Sequence, residues 1–175
     1  MNKKHIQITN NEDILFIGNK QISNCIEGKI KKRSNVTLVY NDNEFQIFDN
    51  HTGEELFYWK GKYLLRGSYI KLKDNFLNKV AAISYRGEYL VPLEFGAVDL
   101  YVVQKSKTAF FVKLEDTKGS YFSNTKQFIE CSSVRKDKTR FSGSYELYIN
   151  NNWKRYVLRK DKYVLARYEK ICYYS

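Results

Sequence analysis

Histidine is almost missing: His5 and His51 are the only two in 175 residues. A His-based triad or metal site therefore has little to build on, since His51 sits among turn-forming residues and His5 in a polar N-terminal stretch. No glycine-rich phosphate loop, no G-x-S-x-G elbow and no H-E-x-x-H helix is present. The carboxylate pairs Glu54-Glu55 and Glu115-Asp116 make poor acid-base dyads, because neighbours along a strand point to opposite faces. The sequence points away from an enzyme and carries no cofactor motif.

Cysteine is scarce as well. Cys25, Cys131 and Cys172 are odd in number and lack C-x-x-C spacing, so neither a disulfide framework nor a zinc knuckle is indicated. Reduced, buried thiols are expected, and only Cys131, near Arg135 and Lys136, has the basic surroundings of a reactive one. Long apolar runs are absent too. The longest near the N-terminus, Ile14 to Ile17, is too short for a secretory core, and no stretch reaches 18 apolar residues. A cytoplasmic protein is the resulting expectation.

Alanine occurs five times and proline once, at Pro92, whereas there are fifteen Tyr and eleven Phe. That balance favours strands over helices. Apolar residues recur with period two almost everywhere. Val36 to Tyr40, Glu44 to Asp49 and Glu55 to Lys60 read as a meander, joined by Asn41-Asp42-Asn43 and by a turn ending at Gly53. Ile70 and Leu72 alternate with Lys71 and Lys73, and "NTKQFIECSSVRK" reads as one strand with a bend. Ten to twelve short antiparallel strands cannot remain one flat open sheet, so the expected fold is all-β, a single antiparallel barrel spanning residues 1–175.

Acidic residues are the minority charge: 30 Lys and Arg stand against 19 Asp and Glu, a formal +11. Such a balance suits polyanionic partners. The excess concentrates in residues 134–175 and in residues 20–33, while Asp42 to Glu55 holds acids and no base.

The segment Phe45 to Arg86 resembles the first repeat of the LURP-one-related family, part of the tubby C-terminal-like superfamily. The residues that carry the likeness are the strand Phe45 to Asp49, the turn ending at Gly53, "WKGK" at Trp59 to Lys62 and "IKLKD" at Ile70 to Asp74. Ser144 to Lys162, "SYELYINNNWKRYVLRKDK", is similar to the second repeat. The resemblance implies a tubby-like twelve-stranded barrel around a central hydrophobic helix, with phosphoinositide, membrane or nucleic-acid contact in some relatives. The apolar helix that closes the family's barrel has no counterpart here, because the chain finishes in the strand-like "YEKICYYS".

In "NNNWKRYVLRKDK", period two places Trp153, Arg155, Val157 and Arg159 on one face and Lys154, Tyr156, Leu158 and Lys160 on the other. Joined with "GKIKKR" at Gly28 to Arg33, this suggests a phosphate-binding surface. Its expected contacts are Lys29, Lys31, Lys32, Arg33, Lys154, Arg155, Arg159, Lys160, Lys162 and Arg167, with Trp153 and Tyr156 placed to stack on bases. The leading expectation is a non-enzymatic RNA-binding protein docking on a ribonucleoprotein such as the ribosome. A phosphoinositide or anionic-membrane module using the same cations is the alternative. A barrel holding a small molecule is the third reading.

Overall fold

A computed structural model gives the fold and describes residues 7–8, 15–17, 20–138 and 143–166. His5, Arg167 and Cys172 lie outside the described residues. The described residues contain no helix. They form nineteen strands in five antiparallel sheets, one of three strands and four of four. By backbone contacts the chain divides into two compact units, residues 1–89 and 90–175.

The first unit begins with β1 (Gln7–Ile8), β2 (Leu15–Ile17) and β3 (Lys20–Ile22) as a three-stranded meander. A second meander follows, β4 (Lys29–Lys32), β5 (Val36–Tyr40), β6 (Glu44–Asp49) and β7 (Glu55–Lys60), and then the consecutive hairpins of β8 (Lys62–Leu65), β9 (Ile70–Asp74) and β10 (Lys79–Ile83). Inner strands are covered on both sides and buried along almost their whole length, as in β5 and β6, where the polar Thr37, Gln46 and Asp49 are enclosed with the apolar residues. Leu15, Ile17 and Ile22 pack on Val39 and Phe48, joining the first two sheets, and Phe45 meets Tyr63 edge to face at 4.8 Å between the second and third.

β11 (Tyr89–Phe95) carries the chain from one unit to the other. In the second unit, β12 (Ala97–Val102), β13 (Ala109–Leu114), β14 (Lys118–Phe122) and β15 (Gln127–Glu130) make one meander, and β16 (Ser133–Lys136), β17 (Tyr145–Ile149), β18 (Asn152–Arg159) and β19 (Lys162–Leu165) make another. Their shared core holds Ala109, Phe111, Phe122, Cys131, Tyr145, Leu147 and Tyr163.

Side chains set the turns. Asn41 Oδ1 accepts from the amides of Asn43 and Glu44 between β5 and β6, and Asp49 Oδ1 accepts from those of His51 and Thr52 between β6 and β7. Asn150 and Asn151, at φ 51° and 62°, build the two-residue turn between β17 and β18 that needs positive φ at both positions.

The expected single barrel of ten to twelve strands is not the fold. A closed barrel needs one continuous ladder of pairings, and here the ladder is broken into separate sheets. The break inside "NTKQFIECSSVRK" shows the physical reason. Cys131 N donates to Lys118 O of β14, whereas the next amide, Ser132 N, donates to Tyr148 O of β17. One peptide step moves the chain from one sheet to another, so the bent strand is in fact two strands in different sheets. The tubby-like barrel implied by the family resemblance is overturned with it. In its place, four-stranded units start at Lys29, Lys62, Ala97 and Ser133, a repeat of about 33 to 36 residues.

Candidate functional site

The basic residues singled out in the sequence fall into both units. In the first, β4 exposes Lys29, Lys31 and Lys32 and turns Ile30 inward. Arg33, just after it, is already occupied: its Nη2 donates to Gly67 O at 2.8 Å, and its guanidinium carbon lies 3.6 Å from the centre of the Tyr85 ring. It braces a loop and is not a free phosphate contact.

In the second unit the register of β17, β18 and β19 decides the roles. Tyr148, Glu146 and Val164 lie opposite Trp153, Arg155 and Val157, while Leu147, Tyr145 and Tyr163 lie opposite Lys154, Tyr156 and Leu158. Leu147, Tyr145 and Tyr163 are buried, so the Tyr156 face turns to the core. Tyr156 packs against that cluster, and burial raises the pKa of its hydroxyl. It is not presented to a base.

The opposite face is held by charge pairs. Arg135 Nη2 meets Glu146 Oε2 at 2.9 Å, and its guanidinium carbon lies 3.9 Å from the centre of the Trp153 ring, while Tyr148 meets Trp153 edge to face at 5.2 Å. A base stacking on Trp153 from Arg135's side would have to displace that guanidinium. Arg155 Nε sits 2.9 Å from Asp137 Oδ2, whose side chain is completely enclosed. Arg155 is therefore a structural cation.

What remains is the far end of the hairpin. Arg159, Lys160 and Lys162 are exposed around a turn in which Lys160 takes φ 55°, and Lys154 is half-buried. Among the described residues none of these four makes an ion pair. Arg159 faces Lys162 across the ladder, and Asp161 is the only acid in the hairpin. The hairpin is fixed firmly beside its turn. Tyr163 N donates to Gln127 Oε1 at 2.7 Å, Gln127 Nε2 donates to Tyr163 O at 3.2 Å, and the Tyr163 ring stacks on Phe122 at 4.2 Å.

Cys131 does not keep the reactive character its basic neighbours suggested. It is buried, and desolvation pushes its thiol up to about 11. Without a barrel lumen, the small-molecule reading loses the interior it required. Among the described residues no three His, Cys, Asp or Glu side chains come together as a metal site. No helix there is long and apolar enough to cross a membrane.

Two features escaped the sequence reading. Asp137, eighteen positions from Arg155, carries no local sign of its burial. The apolar pair Phe76-Leu77 does carry one, being set between turn-formers in "KDNFLNK".

No family model matches the sequence, and no curated protein matches it. Solved structures similar to it include Kluyveromyces lactis Hsv2p, at 14% identity over 79% of this chain and 49% of that one, with a TM-score of 0.32. Others are the form with loop 6CD replaced by a Gly-Ser linker, at 13% identity, 65% and 41% coverage and TM-score 0.32, and the form with complete loop 6CD, at 16%, 75%, 46% and 0.33. The chain spans less than half the length of each of these structures. A likeness of this size transfers no function.

Proposed function

We propose that this chain is a non-enzymatic, cytoplasmic RNA-binding module that docks on structured RNA, such as that of a ribosome, through the β18–β19 hairpin. The observation that supports this reading is the separation of the cations into two kinds. Arg135 and Arg155 are neutralised by Glu146 and Asp137, whereas the exposed Arg159, Lys160 and Lys162 make no ion pair among the described residues and stand on a clamped hairpin. A rigid support lets such cations meet phosphates without a further ordering cost, and releasing counterions supplies the affinity.

The test is binding of bulk transfer RNA and of poly(U) to the full chain over a salt series. Three phosphate contacts give a log-log salt slope of about −2 on a single strand. Arg159→Glu, Lys160→Glu and Lys162→Glu together should weaken binding at least tenfold and flatten that slope. Unchanged binding by the triple variant would reject the reading.

A second reading, contact with an anionic membrane through the same cations, draws on Leu158 and Leu165, exposed at 42% and 47% beside them. Parallel sedimentation with phosphatidylserine vesicles separates the two. Vesicle binding that the triple variant abolishes, with no RNA bound by the parent chain, would replace RNA with lipid.

A further inference from the structure

The turn between β9 and β10 is built to hold two apolar side chains out in water. Asp74 Oδ1 accepts from Phe76 N at 2.9 Å and from Leu77 N at 3.1 Å, and Asn78 takes φ 53° to close the loop onto Lys79, the ladder partner of Asp74. These contacts are made by backbone groups and by Asp and Asn, so the turn places no demand on what positions 76 and 77 carry. Yet they carry phenylalanine, 95% exposed, and leucine, 52% exposed. Scattered exposed apolar residues need no explanation, but an adjacent aromatic and aliphatic pair at the tip of a locked hairpin is a presented surface.

The charge around the tip is mainly positive. Lys79 and Asp74 share one face of the hairpin, and Lys73 and its ladder partner Lys62 share the other. Asp74 is the only acid of the β9–β10 hairpin, and one of its oxygens is occupied by the two turn amides. Lysine stems can lie along an apolar phase while their ammonium groups stay at its polar boundary. An apolar tip ringed by lysines therefore matches the layered chemistry of an anionic bilayer, with phosphates outside and acyl chains beneath.

We propose that the β9–β10 hairpin is a membrane-docking finger, in which Phe76 and Leu77 enter the interface of an anionic phospholipid bilayer and Lys62, Lys73 and Lys79 contact its phosphates. The finger lies in the first unit and shares no residue with the β18–β19 hairpin, so it does not rest on the RNA reading. Interfacial burial of this kind is shallow and reversible.

The test uses the full chain with vesicles of phosphatidylserine and phosphatidylcholine in equal parts, and with phosphatidylcholine alone. The expected result is binding to the anionic vesicles only. Phe76→Ser with Leu77→Ser should weaken it on the order of tenfold or more. Exchange of the three lysines for glutamine should weaken it as strongly. Phe76→Trp supplies a direct reading: its new indole, after subtraction of the parent signal, should shift to the blue on anionic vesicles and be quenched by lipids brominated on their acyl chains. Vesicle binding that leaves this indole in water, or a double serine variant that binds like the parent, would overturn the proposal. So would burial of the indole against a protein partner with no response to vesicles. Charge reversal at Arg159, Lys160 and Lys162 should leave the indole's response in place, which keeps failure of the finger distinct from failure of the RNA site.

Discussion

The guanidinium of Arg155 reaches a carboxylate, Asp137, that has no exposure of its own, while 40% of the Arg155 side chain remains open to solvent. Ser144 Oγ donates to the same Asp137 oxygen at 2.8 Å, and Asp137 N donates to Ser144 O at 3.1 Å. Removing the arginine takes the cation away from a buried carboxylate. Arg155→Ala should therefore lower stability by about 1–3 kcal/mol. Arg159→Ala, on the same face but in no ion pair among the described residues, should stay within about 0.5 kcal/mol. Urea unfolding of the two variants measures the contrast, and equal losses would contradict the separation of structural from free cations.

Asp49 should make the fold acid-sensitive. Its carboxyl is held down to about 2 by the amides of Thr52 and His51 and by Arg86, whose Nη2 lies 3.1 Å from Oδ2. The unfolded value is about 3.9. With the folded pKa below the unfolded one, the contribution is complete above about pH 4 and disappears as pH falls toward about 2. Asp49→Asn should melt below the parent at neutral pH, and the two melting curves should converge at the acid end. A gap of constant size across that range would count against the charged role.

Cys131 should be chemically silent in the folded protein. At a pKa of about 11 almost no thiolate is present near pH 8, and the side chain is enclosed. In a Cys25→Ser, Cys172→Ser variant, a disulfide reagent should react slowly under native conditions and rapidly in guanidinium. Native reactivity at the rate of a free thiol would refute the burial.

The second unit should depend on one aromatic trio. Phe122 stacks on Tyr163 at 4.2 Å and meets Tyr145 edge to face at 5.2 Å, and the two tyrosines are 5.6 Å apart. The Tyr145 hydroxyl hydrogen-bonds with both Ser106 and Thr108, at 2.7 and 3.0 Å, so the trio also anchors the β12–β13 loop. Phe122→Ala is expected to cost about 3–5 kcal/mol in equilibrium unfolding. Leu158→Ala, exposed, should cost far less.

Local structure was legible where a short-range rule governs it. β5, β6 and β7 fall at Val36–Tyr40, Glu44–Asp49 and Glu55–Lys60, where alternation and polar turns place them. The two faces of β18 also follow from period two. Which face turns inward did not follow, because both mix apolar and basic residues; Tyr145 and Leu147 on the neighbouring strand decide it. Sheet membership was less legible still. Nothing in "ECSSV" announces that two consecutive amides will bond to different sheets, since those partners are distant in sequence. Counting strands therefore suggested closure into a barrel.

The side-chain amide of Gln127 fills, on the backbone of Tyr163, the place another chain's peptide would take. β19 is the outermost described strand of its sheet, and a second molecule seeking to extend that sheet would find this rung occupied. Gln127 thus acts as a stopper against templated growth, and its loss would open the strand to pairing with copies of itself.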